Sequence, residues 1–203
     1  MIPSKNKSKL LNLLNPKLRK RLGLILANSA NTLLLPVFNL AVSLLVIRLA
    51  SVELWGAFVS ILIWMNLAIH IMHWGSKEYL LREFSRSPGK ITETWQSNVF
   101  TRLLLLGAFV LILLAWPLPS LRKWLLMFWG GSALLYQSFE ALILYRRKFI
   151  VSLLLEVTAI GFLVGSIFIA NSRGQLEVDF LIALFAIAIS FKFVGLAFLF
   201  RKD

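Results

Sequence analysis

The stretch FLIALFAIAISFKFVGLAFLF, residues 180–200, contains one charged residue, Lys192. A helix of about 20 apolar residues crosses a bilayer, because the hydrocarbon is about 30 Å thick and an α-helix rises about 1.5 Å per residue. Comparable apolar stretches recur along the chain, so we predict an all-α, polytopic membrane protein. Its six predicted transmembrane helices cover residues 22–50, 54–74, 95–116, 121–145, 150–170 and 178–200.

The composition agrees with a membrane protein and argues against other classes. Hydrophobic residues make up 59% of the 203 residues, which leaves no segment for a separate soluble domain. The chain has no cysteine, so disulfides, thiolate metal sites and cysteine nucleophiles are excluded. The net charge of +13 does not indicate a nucleic-acid partner, because the basic residues gather at the ends of the apolar stretches, where they meet membrane lipid.

The basic residues also predict the topology. One side of the predicted membrane carries sixteen lysines and arginines, whereas the other side carries only Arg48, Arg122, Lys123 and Arg173. Because cytoplasmic segments are enriched in these residues, both termini are predicted to lie in the cytoplasm. An even number of crossings likewise requires both termini to lie on the same side of the membrane.

The sequence divides into two regions. Residues 1–21 form a basic tail in which leucines interleave with lysines and arginines. This tail is either an amphipathic segment on the inner membrane surface or a disordered basic segment. Residues 22–203 contain the apolar stretches, and the short connections between them predict antiparallel neighbours in one six-helix bundle.

Ionisable residues inside the predicted helices are the first candidates for a site. A charged side chain within a span costs about 2.5 kcal/mol or more on insertion scales, so it should face protein or water. Either these residues only neutralise one another, or they line a cavity that receives an anionic head group or relays protons. We predict that Arg102 and Lys192 face the bundle interior, within reach of Glu140 or Glu156.

Polar side chains recur at helical spacing on three predicted helices. The stripes are Asn28, Thr32, Pro36, Asn39 and Ser43 on the first helix, Ser60, Asn66, His70, His73 and Lys77 on the second, and Ser132, Tyr136, Glu140 and Arg147 on the fourth. Such stripes form either ordinary interhelical hydrogen bonds or a shared polar interior. The candidate cavity-facing or substrate-facing residues are Asn28, Thr32, Asn39, His70, Arg102, Glu140, Glu156 and Lys192.

No metal, cofactor or catalytic site is expected. His70 and His73 share a helical face, but metal sites usually need three or four ligands and no third ligand is apparent. The sequence also lacks paired aspartates suited to metal-dependent phosphotransfer and a nucleophile beside a plausible base. The chain is therefore not expected to be an enzyme.

Residues 46–91 carry a family resemblance. They contain an arginine near the end of one apolar stretch, an aromatic-glycine pair at the start of the next, and a glycine and an Arg-Glu pair after it. The matching residues are Arg48, Trp55, Gly56, Gly75, Arg82 and Glu83. This pattern resembles the N-terminal region of polysaccharide and O-antigen flippases, which belong to the multidrug/oligosaccharidyl-lipid/polysaccharide exporter superfamily.

The resemblance implies two six-helix lobes that face each other around a central cavity. It also implies alternating-access flipping of an undecaprenyl-diphosphate-linked oligosaccharide across the bacterial inner membrane, for polysaccharide or lipopolysaccharide biosynthesis. This chain would supply one lobe, so a second lobe or a homodimer mate is expected. The alternative is a truncated or non-transporting membrane subunit of a glycan-synthesis complex, and a membrane enzyme acting on lipid-linked sugars ranks third.

Overall fold

The computed structural model describes residues 16–201, which are almost entirely helical and contain no strand. The all-α prediction is confirmed for these residues. The helices are α1 (Pro16–Leu49), α2 (Val52–His73), α3 (Ser76–Arg86), α4 (Ile91–Ala115), α5 (Ser120–Ser138), α6 (Glu140–Arg146), α7 (Phe149–Ser172) and α8 (Val178–Phe200), with a 3₁₀ turn at Pro88–Lys90 before α4. Most of the predicted basic tail, residues 1–15, lies outside the described residues.

Four helical segments are long and apolar enough to cross a membrane, namely Val52–Arg86, Pro88–Ala115, Phe149–Ser172 and Val178–Phe200. They indicate a membrane protein, in agreement with the sequence. The remaining two predicted spans do not reach this standard in the described part of the chain. In α1 the apolar segment found is only Pro36–Leu49, and residues 121–145 are divided between α5 and α6. The count of six spans therefore stays a prediction.

The prediction of one continuous helix over residues 121–145 is wrong, because the helix breaks at Phe139. The backbone N–H of Phe139 donates to the carbonyl of Tyr136 at 3.1 Å, which is a 3₁₀-type contact. The carbonyl of Ser138 accepts a hydrogen bond from Trp95 Nε1 at 2.8 Å. A tertiary hydrogen bond from α4 therefore stabilises the break between α5 and α6.

Residues 76–86, predicted only as a connection, form the amphipathic helix α3. Its buried residues Ser76, Leu80 and Phe84 are four positions apart, so they share one face. The Ser76 hydroxyl donates to Asn98 Oδ1 at 2.8 Å, and α3 packs against α4 and α6. Gly75 connects α2 to α3 with a φ of +69°, a conformation that favours glycine.

The described helices pack into one bundle in which α5 and α8 make the most extensive contact. Helix α7 lies against α8, α1 lies against α7 and α2, and α2 also contacts α5 and α8. Three aromatic side chains fill the junction of α2, α5 and α8. The ring of Phe58 lies 4.8 Å from that of Phe185 and 6.1 Å from that of Trp129. Phe58 is completely buried, so this cluster is the centre of the hydrophobic core.

Charged residues mark the two ends of the bundle. We call the end formed by α3, α6 and the C-terminus of α8 the basic end, since it carries Lys77, Arg82, Arg86, Arg146, Arg147 and Arg201. At the opposite end, Arg122 Nε lies 2.6 Å from Asp179 Oδ1 and links the starts of α5 and α8. Between the ends the large exposed side chains are mostly apolar, and Trp64 among them is 71% exposed. Such a surface suits contact with lipid chains.

Candidate functional site

A cavity of about 230 Å³ lies between α1, α2, α5, α7 and α8. We call it the central cavity. Much of its wall is apolar and belongs to the hydrophobic core. Its polar lining consists of Asn39, Asn66, Tyr136, Gln137, Glu156 and Lys192. Three amides, a phenol and two opposite charges therefore meet within an otherwise apolar bundle.

The two charged residues of the central cavity, Glu156 and Lys192, form an ion pair with each other. Lys192 Nζ lies 3.1 Å from Glu156 Oε1 and 3.0 Å from Oε2, and the two residues are only 8% and 7% exposed. The Tyr136 hydroxyl donates to Glu156 Oε2 over a longer distance of 3.5 Å. Lys192 Nζ also lies 4.7 Å from the centre of the Tyr136 ring, within cation–π range. The predicted contact of Lys192 with an acidic residue is confirmed.

The pair belongs to a polar seam that links α5, α7 and α8. Glu156 is on α7 and Lys192 on α8, and both contact Tyr136 of α5, which lies one helical turn from Ser132. Ser190 Oγ lies 2.7 Å from Ser132 Oγ of α5. Burying two charges is costly, and the cost is offset only when the geometry is good and the remaining polar atoms have partners. The Glu156–Lys192 pair meets that condition, because Lys192 Nζ contacts both carboxylate oxygens and the Tyr136 hydroxyl also donates to Glu156.

A second cavity of about 570 Å³, the basic-end cavity, lies where α2 turns into α3. His70, His73 and Lys77 line it from one side, and Glu140 from the start of α6 lines it from another. Lys77 Nζ lies 3.4 Å from Glu140 Oε1. Both side chains are more than a third exposed, so this ion pair contributes little stability. Gln137 lines both cavities and lies between them.

Arg102 lies beside the basic-end cavity, and among the described residues it forms no ion pair with Glu140 or Glu156. The residue is buried, with 8% exposure, as predicted. Its Nη2 donates to the carbonyl of Trp74 at 3.5 Å, and its Nε has no hydrogen-bond partner. The carbonyl of Trp74 ends α2, so the guanidinium occupies the negative end of a helix instead of facing a carboxylate. Glu140 forms its ion pair with Lys77 instead.

The stripe residues are divided between these two places. Asn39 lines the central cavity, whereas His70 and Glu140 line the basic-end cavity. Asn28 is exposed and lines neither cavity. The side chain of Thr32 lies outside the described part of the chain. The shared polar interior that the stripes allowed is therefore divided between two neighbouring sites.

Two contributors to the central cavity and its seam were not singled out in the sequence. Gln137 follows Tyr136 but lies off the stripe of that helix, and it lines both cavities from the last turn of α5. Ser190 lies two positions before Lys192 in a long apolar run. A second polar residue so close to the buried lysine was the signal that could have identified it. No group of three or more metal-ligating side chains occurs within the range that the structure describes.

The residues that carry the family resemblance lie mainly at helix ends. Trp55 and Gly56 belong to the first turns of α2, after Ser51 caps that helix by accepting from the N–H of Leu54 at 3.1 Å. Of the six matching positions, Gly75 alone lines one of the two cavities, the basic-end cavity. The other motif residues are Arg48 and Arg82, which are exposed, and Glu83, which is partly buried.

No protein-family model matches this chain, and no curated protein or solved structure does. The flippase resemblance rests on residues 46–91 alone.

Proposed function

We propose that this chain is one lobe of a flippase-type transporter in a bacterial inner membrane, and not an enzyme. Its proposed substrate is an undecaprenyl-diphosphate-linked oligosaccharide, moved for polysaccharide biosynthesis. The proposed topology has six spans and both termini in the cytoplasm. The observation that supports the proposal best is the central cavity, which places amide and charged side chains in the middle of an apolar bundle.

The side chains of the central cavity suit a hydroxylated ligand. Asn39, Asn66 and Gln137 each offer both a donor and an acceptor, as sugar hydroxyls do. Polar groups inside a bilayer are expensive, so a bundle with a purely structural role gains nothing by gathering three amides beside an ion pair. A polar ligand that enters from one end of the bundle would form hydrogen bonds with these groups.

Several polar side chains of α1 and α2 support a second lobe or a homodimer mate. Asn39, Asn66 and His70 are exposed on helices whose other described surface residues are largely apolar. An exposed amide at membrane depth is poorly solvated by lipid chains and is better satisfied by another protein surface. In this proposal the mate closes the substrate path, so an isolated lobe does not flip the lipid-linked glycan.

The test is leaflet translocation of a fluorescent lipid-linked oligosaccharide in proteoliposomes, with the oligomeric state fixed by cross-linking. The informative variant is Glu156→Leu/Lys192→Met, which removes both cavity charges together. Its matched control is Arg122→Met/Asp179→Leu, which removes an interhelical ion pair at the opposite end. We expect the assembled protein to flip, the cavity variant to lose flipping and the control to keep it.

Three results would contradict parts of this proposal. Flipping by a proven monomer would exclude the need for a mate. Flipping that is unchanged in the cavity variant would exclude the central cavity as the substrate path. Absence of flipping in every assembled form would exclude transport itself.

The small size of the central cavity favours one second candidate, a non-transporting subunit of a glycan-synthesis complex. A volume of about 230 Å³ is below the usual range for a drug-sized ligand, and the completed ion pair occupies one side of it. In that role the chain would bind partner membrane proteins. Co-purification with glycan-synthesis enzymes together with absent flipping would favour this candidate.

A further inference from the structure

A third pocket, of about 240 Å³, opens at the basic end between α4, α6 and α8. We call it the interfacial pocket. Its walls are mainly apolar and include Trp95, Phe139, Leu142 and Phe200. Two arginines, Arg146 and Arg201, also line it. Neither the central cavity nor the basic-end cavity shares any of these residues.

The break between α5 and α6 shapes this pocket. The hydrogen bond from Trp95 Nε1 to the Ser138 carbonyl holds the indole against the break. The ring of Phe139 lies 5.1 Å from that of Trp95 and stacks on that of Phe200 at 5.7 Å. These contacts fix three aromatic walls, so the pocket is a built feature of the fold.

Two of the residues that line the pocket are charged, and both are arginines. Arg146 is the last residue of α6 and Arg201 follows α8, and both are exposed. Lys148, which does not line the pocket, places its Nζ 4.6 Å from the centre of the Phe200 ring. An occupant must therefore combine an apolar part with an anionic head.

We propose that the interfacial pocket binds an anionic glycerophospholipid, with an acyl chain against the aromatic walls and the phosphate beside Arg146 and Arg201. Basic pockets between membrane helices at the cytoplasmic surface are known to take anionic lipid head groups. A free phosphate lacks the apolar part, and a neutral lipid lacks the net charge. This site does not depend on the chain being a transporter.

The test uses phosphatidylglycerol with a photoreactive acyl chain in proteoliposomes of phosphatidylcholine, followed by mass-spectrometric mapping of the adducts. We expect adducts on α4, α6 and α8 around the pocket. A matched phosphatidylcholine probe should label these residues much less. Soluble glycerol phosphate should not compete, which separates a lipid from a free phosphate.

Variants separate the pocket from general surface charge. Arg146→Gln should reduce labelling about fivefold, the factor expected for one basic residue near an anionic lipid. Arg86→Gln is the matched control, because Arg86 is also an exposed arginine in the last turn of a short helix at the basic end. Ala197→Trp fills the pocket and leaves both arginines, so it should also reduce labelling, whereas Ala108→Trp on the exposed face of α4 should not.

Retained monodispersity of each variant shows that it has folded. Equal labelling by the two lipid probes would overturn the proposal. Equal loss in Arg146→Gln and Arg86→Gln, or full labelling of Ala197→Trp, would also overturn it.

Discussion

The central cavity and the basic-end cavity place ionisable groups inside the same bundle in different ways. In the central cavity, both carboxylate oxygens of Glu156 lie within 3.1 Å of Lys192 Nζ. In the basic-end region, Arg102 makes one long hydrogen bond of 3.5 Å, and its Nε and the Nε2 of His73 have no partner. In the central cavity the two opposite charges form an ion pair, whereas in the basic-end region two buried nitrogen atoms lack hydrogen-bond partners.

The backbone around each site explains this difference. The central pair joins α7 and α8, which are continuous helices over their whole length. The basic-end cavity is built around the turn at Gly75 and the break before α6. Regular helices hold partners at fixed positions, whereas turns and breaks are commonly the regions that open most easily. We therefore expect the central pair to hold the bundle together and the basic end to tolerate change.

The largest effect is expected when the central pair is broken. Glu156→Gln leaves Lys192 buried without its counter-charge, and the free energy of unfolding should fall by about 3–5 kcal/mol. Reversible unfolding in bicelles measures this loss. The control Glu156→Leu/Lys192→Met removes both charges and should recover most of the stability. If Glu156→Gln lowers the free energy of unfolding by less than about 1 kcal/mol, the ion pair does not stabilise the bundle.

The next effect concerns the turn that shapes the basic-end cavity. Gly75→Ala places a side chain at a φ of +69°, and the strain should lower the free energy of unfolding by about 1–3 kcal/mol. Gly89→Ala is the matched control, since Gly89 has open space around it and no positive φ. Equal losses in the two variants, measured in the same bicelles, would contradict the role of Gly75.

A small effect is expected at Arg102, although this residue is as buried as Lys192. Arg102→Met removes a guanidinium with one weak partner and fills its space with an apolar side chain. The free energy of unfolding should change by at most about 1 kcal/mol. If Arg102→Met lowers the free energy of unfolding as much as Glu156→Gln does, Arg102 is as important for stability as the central ion pair, and the proposed difference between the two sites is wrong.

The smallest effect is expected at the exposed ion pair of the basic end. Lys77→Gln removes a contact of 3.4 Å between side chains that are 35% and 47% exposed. The loss should be about 0.5 kcal/mol at low salt and should decrease further as salt is added. Unfolding at two salt concentrations, with Lys90→Gln as the control for loss of charge alone, provides the measurement.

The sequence was sufficient for the features that depend on length and local composition. The helical class, the ends of α2, α7 and α8 to within about two residues, and the contact of Lys192 with Glu156 all follow from apolar runs and the cost of a charge in lipid. Two predicted spans, residues 22–50 and 121–145, are helical but are not long apolar helices in the structure. Their apolar signals are weaker than those of the other four. The function assigned from residues 46–91 stays a proposal.

The features that sequence reasoning missed depend on contacts between distant residues. The break at Phe139 is stabilised by the indole of Trp95 on another helix, which no local pattern of residues 121–145 contains. Glu140 pairs with Lys77 of α3, and Arg102 donates to the Trp74 carbonyl at the end of α2. These contacts also join residues that are far apart in sequence, so no local pattern predicts them.

The central claim is that a polar cavity lies within the membrane-embedded bundle. Asn66→Cys and Trp64→Cys test it directly, because the chain has no native cysteine and the two positions differ in depth by only about 3 Å. Asn66 lines the central cavity, whereas Trp64 is 71% exposed on the apolar surface. In proteoliposomes, a small membrane-impermeant methanethiosulfonate should modify Asn66→Cys and leave Trp64→Cys unmodified. Modification of both positions, of neither, or of Trp64→Cys alone would contradict the account.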